Sequence, residues 1–247
     1  MSLVSTKAFI LRLDPLSEKD LVAALLTEDH GVVRAAVRGA RGKTKKGAAL
    51  QILTEVAATY FRREGSDLAR LDALEIVKSS FPLAARPETA MLLPYLAESV
   101  LTFVPESEPG SDMYRLTRHV LDALEESVDP VLATRYFEVW LLRFAGLLPE
   151  DGTCAACGGP LPAGEVRLDP EIPGFVSEEC SGPRTVPVPA HARGLLAAFK
   201  RAKLTALAGR KGVAAASLDS LESLSREVRR RFLGHELKSY RFLRSLG

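Results

Sequence analysis

The stretch Gly31-Val-Val-Arg34-Ala-Ala-Val37-Arg38-Gly39-Ala-Arg41-Gly42-Lys43-Thr-Lys45-Lys46-Gly47 decides how the first third of this chain is read. Its opening residues are apolar and partly β-branched, which suits a strand. From Arg38 onward the composition changes to cations separated by glycine. Six Lys/Arg and no acid fall between Gly31 and Thr54. Like charges held together in a loop repel, and a partner outside the fold usually neutralises them. A phosphate backbone is the commonest such partner. The competing reading is a solvated hairpin loop whose charge only maintains solubility.

Working outward, strand-like segments flank the loop on both sides. Val4–Leu13 and Leu21–Thr27 precede it; Ile52–Phe61 and Leu68–Val77 follow, so that Gly31–Val37 is the third of five. Five short strands with polar or glycine-bearing connections predict a small closed or half-closed β-barrel, with the OB-fold as the natural candidate. Its open face and loops suit single-stranded nucleic acid. Alanine pulls against this reading: Ala23, Ala24, Ala35, Ala36, Ala57 and Ala58 all lie in the proposed strands, and alanine favours helix.

Beyond Pro82 and Pro87 the apolar period becomes helical. Met91, Leu92, Tyr95, Leu96, Ser99, Val100 and Phe103 mark one helix; Ser111 or Asp112 can cap a second, running to about Ser127. Pro130 opens a third, with Tyr136, Phe137, Val139, Trp140, Leu141, Phe144 and Leu147 as its core stripe rather than a base-stacking platform. Leu148–Pro189 is rich in Gly and Pro and holds all three cysteines; helical pattern resumes at Ala190–Ala208 and Leu218–Leu246. The expectation is an α+β multidomain chain: an OB-fold DNA-binding domain over 1–80, an α-helical domain over 81–148 and 190–247, and a zinc-finger-like cysteine module over 149–189 interrupting it.

The net charge of +2 conceals a partition. Residues 1–47 carry a net +4, residues 48–190 a net −11, and residues 191–247 a net +9. Two basic ends suggest one anionic ligand touched by both, leaving the acidic middle for other contacts. In the C-terminal part, Val228, Phe232, Leu233, Leu237, Tyr240, Leu243 and Leu246 are read as one buried stripe. Arg229, Arg230, Lys238, Arg241 and Arg244 are left for other faces, with Lys200, Arg201 and Lys203 nearby in sequence. The candidate DNA-binding set is therefore Arg34, Arg38, Arg41, Lys43, Lys45, Lys46, Lys200, Arg201, Lys203, Arg229, Arg230, Lys238 and Arg241.

Cys154-Ala-Ala-Cys157-Gly-Gly is a knuckle in which two thiolates three positions apart can grip a tetrahedral zinc. Cys180 lies at a plausible distance for the other half of a finger. The fourth ligand is open between His191, Glu178, Glu179, Ser177 and solvent; histidine is the best chemical match beside thiolates, so the expected metal set is Cys154, Cys157, Cys180 and His191. A catalytic zinc would want an HxE or HExxH pattern, and none occurs. Gly42-Lys43-Thr44 approaches a P-loop, but that motif needs glycine where Val37 sits. No Ser/His/Asp signature or paired-carboxylate cluster stands out, so an enzyme is not expected. No run approaches the roughly 18 apolar residues of a membrane span, and no signal peptide is evident. With an odd cysteine count, a cytoplasmic protein is expected.

The order of these parts resembles the RecO family of bacterial recombination mediators over essentially the whole chain. The resemblance rests on the N-terminal strands with the loop Val37–Lys46, the helical middle, the Cys154-x-x-Cys157-Gly module after Gly146-Leu-Leu-Pro149, and Leu237-Lys-Ser-Tyr-Arg-Phe-Leu243. It implies an N-terminal OB-fold, a helical domain and a zinc finger. It also implies a protein that binds single- and double-stranded DNA and anneals complementary strands. Its partners would be RecR and the tail of single-stranded-DNA-binding protein, and together they would load RecA in gap repair. In zinc-bearing members the second cysteine pair sits in a Gly-x-x-Cys-x-x-Cys frame; Gly174-Phe-Val-Ser177-Glu-Glu-Cys180 fits it with serine replacing one cysteine. The rival reading is a non-catalytic zinc-ribbon module or regulator that binds RNA or protein.

Overall fold

A computed structural model of the chain describes residues 2–40, 50–63, 65–105, 110–169, 171–172, 174–209 and 213–244. Five strands open it: β1 (Ser2–Pro15), β2 (Leu21–Thr27), β3 (Gly31–Val37), β4 (Glu55–Arg62) and β5 (Ala69–Lys78). They close into a barrel in the order β1-β2-β3-β5-β4, with the long β1 paired antiparallel to both β2 and β4. Closure between β3 and β5 is parallel and short, Ala35 opposite Ala69 and Ala36 opposite Arg70. This is the five-stranded barrel expected of an OB-fold.

Three of the six alanines that argued for helix, Ala23, Ala35 and Ala58, have a packing reason to be in strands, whereas Ala57 is exposed. Ala8, Ala23, Ala35, Ala58 and Ala69 all belong to the barrel core, beside Ile10, Leu25, Val33, Val37, Val56, Tyr60 and Leu71. A five-stranded barrel leaves little interior volume, and small side chains let the walls approach while a few large ones fill the centre. Burial on a pleated surface thus overrides intrinsic propensity.

β2 is buried along nearly its whole length, on both faces. Part of the outer cover comes from helix. One-turn helices α1 (Phe81–Ala84) and α2 (Pro87–Ala90) lead to α3 (Leu92–Phe103), then α4 (Ser111–Glu125) and α5 (Pro130–Phe144). The Phe9 ring packs 4.9 Å from that of Tyr114. Gly110 sits where a Cβ would come within 2.8 Å of Gly31 Cα, so only glycine allows the chain to pass the β2–β3 turn so closely. The Tyr114 hydroxyl donates to Glu55 Oε1 at 2.5 Å, joining the start of β4 to α4.

A three-stranded sheet of β6 (Val166–Leu168), β7 (Phe175–Val176) and β8 (Val186–Val188) forms the frame of the cysteine module. Four helices follow: α6 (Ala190–Arg201), α7 (Leu204–Ala208), α8 (Ala215–Leu233) and α9 (Lys238–Arg244). The terminal stripe expected to be continuous is broken, because Gly234 takes a left-handed conformation (φ 73°) that caps α8. Phe232, assigned to that stripe, is exposed, whereas Val228, Leu237 and Tyr240 are buried. The core reading of α5 fits Tyr136, Phe137, Val139 and Leu141, which are buried, while Phe144 at its end is exposed.

The chain divides into two compact units, residues 1–118 with 237–247, and residues 119–236. The first therefore contains the barrel, α1–α3, the first half of α4, and the last helix. Within it, the Tyr240 ring of α9 packs 5.4 Å from that of Tyr95 on α3. The second contains α5–α8 and the cysteine module.

Candidate nucleic-acid interface and metal centre

The basic loop connects β3 to β4. Arg34 projects outward from β3, and Arg38 follows the strand's end; both are exposed. The turn that launches the loop is anchored. Gly39 has φ +64°, and its amide donates to Asp20 Oδ1 at 2.9 Å, while Ala40 is buried in the barrel core. Arg41, Lys43, Lys45 and Lys46 lie outside the described residues.

The C-terminal cations divide. Lys238 and Arg241 are exposed on α9, in the same compact unit as Arg34 and Arg38. Glu98 of α3 receives the amides of Lys238 (3.2 Å) and Ser239 (2.8 Å) and the Ser239 hydroxyl. Although burial raises the Glu98 pKa, these bonds and the Lys238 charge outweigh it and hold its carboxyl below the usual range. Glu98 thus caps α9 as an N-cap side chain would.

Lys200, Arg201, Lys203 and Arg230 belong to the other unit and are exposed. Lys200 pairs with Glu150 at 2.9 Å, and Arg230 is held by Glu227 at 2.8 Å. Their charge is thus partly answered within the protein. Arg229 is a correction to the surface set: its side chain is 3% exposed and lies 2.8 Å from Glu138 Oε1. Arg135 reaches the other oxygen of Glu138 at 3.0 Å, so two guanidinium groups share one buried carboxylate. Burial removes Arg229 from any contact with phosphate.

One pair on the barrel was not singled out from sequence. The Arg70 guanidinium lies 4.9 Å over the Phe61 ring, the two being cross-strand partners on β4 and β5. An aromatic face beside an exposed cation is what stacked bases use. The signal was available only through the strand register, which puts residues nine apart opposite each other.

In the cysteine module the ligand atoms of Cys154, Cys157 and Cys180 lie within 4.8 Å of one another. Local folding explains the convergence. The Cys154 amide donates to Gly159 O (2.7 Å) and that of Gly158 to Cys154 O (2.8 Å), a tight turn that Gly158 completes at φ +72°. The Ala155 amide donates to Phe175 O at 2.9 Å, which ties this knuckle to β7. Gly174 allows that approach, since a Cβ there would stand 2.3 Å from Ala155 Cβ. The Cys180 amide donates to Ser177 O at 3.1 Å in a 3₁₀ turn over Glu178–Cys180, which supplies the third thiol.

Amide hydrogen bonds, from Ser177 first and then Cys157, bring the Cys154 thiol down to about 6. For Cys180 the Ser177 hydroxyl lowers the pKa, but the neighbouring Cys157 and Cys154 thiols outweigh it and the net shift is upward. Soft thiolate donors gathered this closely suit zinc. His191 is not part of the cluster. It stands in the first turn of α6, exposed, with Nε2 3.3 Å from Ser220 Oγ. Ser177 is the residue that approaches the cluster instead, its hydroxyl 3.9 Å from Cys154 Sγ.

Comparison with known proteins places these features in a family. The family models described as Recombination protein O N terminal and Recombination protein O C terminal match residues 1–80 and 85–241. The chain belongs to the RecO family. It is 34% identical over 253 residues to the DNA repair protein RecO of Anaeromyxobacter sp. (strain K), covering 100% of this chain and 98% of that one. The RecO protein of Anaeromyxobacter dehalogenans (strain 2CP-C) is 32% identical over 250 residues, with the same shares covered. That of Koribacter versatilis (strain Ellin345) is 32% identical over 160 residues, covering 64% and 65% of the two chains. The barrel corresponds to the first RecO family segment, and the cysteine cluster lies in the second. Among the described residues, no helix is long and apolar enough to cross a membrane.

Proposed function

We propose that this RecO family protein binds single- and double-stranded DNA by its phosphates and anneals complementary strands without chemistry on the DNA. With RecR, and through the tail of single-stranded-DNA-binding protein, it helps load RecA onto coated single strands during gap repair. The observation that carries the DNA part is the placement of exposed cations. Arg34 and Arg38 lead into the basic loop, and Lys238 and Arg241 at the other end of the sequence belong to the same compact unit.

Charge neutralisation explains how such a surface promotes pairing. Two complementary strands repel through their phosphates, and a cationic surface that releases their counterions lowers that barrier. Contacts confined to the backbone leave base edges free to pair and make binding nearly independent of sequence. The Phe61–Arg70 pair adds a place where an unpaired base could stack. Zinc held by Cys154, Cys157 and Cys180 would serve as a structural staple for this module.

The test mixes two complementary single strands with the purified protein, without nucleotide, and follows duplex formation across a salt series. Salt-sensitive acceleration with intact strands is expected. Neutralising Arg38, Arg41, Lys43, Lys45 and Lys46 together should reduce both the rate and the slope of log affinity against log salt. Binding without acceleration would overturn the annealing reading. An unchanged slope in the loop variant would remove the loop from the interface, and preference for RNA at matched salt would favour the RNA-binding rival.

A further inference from the structure

Ser177 stands beside the cysteine cluster, against Cys154. Its amide lies 3.5 Å and its hydroxyl oxygen 3.9 Å from Cys154 Sγ. With zinc bonds of about 2.3 Å to sulfur and about 2.1 Å to oxygen, the sulfur–oxygen edge of a ligand tetrahedron is about 3.6 Å. The 3.9 Å from Ser177 Oγ to Cys154 Sγ is near that edge. The hydroxyl is also turned away from its ordinary role. Ser177 is the N-cap of the Glu178–Cys180 turn, a position where serine usually accepts a backbone amide, yet its side chain makes no capping bond.

The spacing within the second turn explains the placement. Ser177-x-x-Cys180 repeats the interval of Cys154-x-x-Cys157, so Ser177 stands in its turn as Cys154 stands in the first. A hydroxyl is a poor ligand for zinc beside thiolates, which prefers sulfur or imidazole nitrogen. His191 cannot remedy this where it stands, because its ring is engaged with Ser220. The cluster is also accessible: Cys157 is exposed, and Ser177 and Cys180 are only half-buried.

We infer that the metal in this chain is held by three thiolates only, and that the position beside Ser177 is an exchangeable site for an exogenous thiolate. The inference rests on the reading of the cluster as a metal centre. The neutral hydroxyl, or a water it orients, fills the position at rest. A thiol entering there would lose its proton to solvent, bind the zinc through sulfur and release the oxygen ligand, with no change of oxidation state. The site thus differs from a closed four-cysteine finger, whose coordination sphere has no vacancy for a visitor.

The experiment uses the full chain loaded with zinc or cobalt(II), with 2-mercaptoethanol as probe. X-ray absorption at the zinc edge should show three sulfurs and one light atom, changing to four sulfurs as the thiol is added. The cobalt protein should gain thiolate-to-metal absorption in parallel. Ser177→Cys should show four sulfurs without thiol, should not respond to it, and should bind metal more tightly by at least about tenfold, the low end of what even outer-shell changes achieve. His191→Ala should behave as the unaltered chain.

A spectrum of the unaltered protein that saturating thiol leaves unchanged would overturn the inference while leaving a metal centre in place. So would a light-atom ligand lost in His191→Ala. Failure of the protein to retain any metal, with three freely reactive thiols, would overturn the metal reading itself. The thiol titration of the unaltered chain needs no variant to fold.

Discussion

Arg229 Nη1 lies 2.8 Å from Glu138 Oε1, and both side chains are buried between α8 and α5. Arg135 approaches the other carboxylate oxygen at 3.0 Å. Two cations around one anion in a water-poor setting form a cluster in which each member depends on the others. Replacing Glu138 by alanine removes the carboxylate that two buried guanidinium groups share. Such a break costs about 3–5 kcal/mol. Urea unfolding should therefore show Glu138→Ala and Arg229→Ala strongly destabilised. The salt dependence of DNA binding by any Arg229→Ala protein that remains folded should not change.

The same residue shows where the sequence was legible and where it was not. The five strands were readable as short apolar, partly β-branched runs separated by polar or glycine-bearing connections, and the helices because their apolar positions follow the helical period. Which cation in Arg229-Arg230-Arg231 faces inward was not, because three adjacent arginines look alike until the partner of each is known. Arg229 meets Glu138, 91 residues away in sequence, while Arg230 stays with Glu227 on its own helix. Gly234 was visible as a residue, but its left-handed cap, not the apolar pattern, ends α8. The thiol cluster was foreseeable from the spacing. The fourth ligand was left open among His191, Glu178, Glu179, Ser177 and solvent, and spacing does not encode that His191 lies apart from the thiols, against Ser220.

Gly174 tests how the cysteine module is assembled. A methyl group there would stand 2.3 Å from the Ala155 Cβ, so the Ala155–Phe175 backbone bond and the knuckle must move apart. Overpacking of this kind costs about 1–3 kcal/mol. Gly174→Ala should weaken metal retention against a competing chelator, with little change in the far-ultraviolet signal of the helices.

His119 makes stability depend on pH. Its Nε2 accepts the Leu204 amide at 3.3 Å, which requires the neutral ring. Burial first, then the Lys203 charge, lowers its pKa, and Asp122 and Glu126 only partly offset them. The folded state thus resists protonation while the unfolded chain accepts it near the ordinary value. The contribution is complete above about pH 6.5 and is lost as pH falls from there through the depressed folded value. Denaturation at pH 7 and pH 5 should show a loss of stability that is smaller in His119→Gln.

Tyr114 and Glu55 link the barrel to α4 through a 2.5 Å bond, with Arg118 3.5 Å from the same carboxylate oxygen. Burial, then the Glu55 bond and charge, push the Tyr114 hydroxyl far above its ordinary value, so it remains a donor throughout the usual pH range. Tyr114→Phe removes that donor and leaves a buried carboxylate oxygen with only the more distant cation. A loss of about 1–3 kcal/mol is expected from denaturant unfolding. DNA affinity at fixed salt should be unchanged in the folded protein.

The two ends of the chain can be separated as contributors to DNA binding. Lys238 and Arg241 project from α9, and the Glu98 cap engages main-chain amides and Ser239, so replacing both cations by alanine leaves that cap in place. Each phosphate contact contributes about 0.7 to the salt slope on single strands and about 0.9 on duplex. Lys238→Ala with Arg241→Ala should therefore flatten the slope by up to about 1.4 on single strands, without altering the unfolding midpoint. Lys200→Ala with Arg230→Ala is the informative contrast. Those cations already face Glu150 and Glu227, so phosphate must compete with a carboxylate for each. Their removal should flatten the slope less. Equal effects from the two pairs would mean that exposure alone, rather than the lack of a close side-chain ion pair, selects the cations that meet DNA.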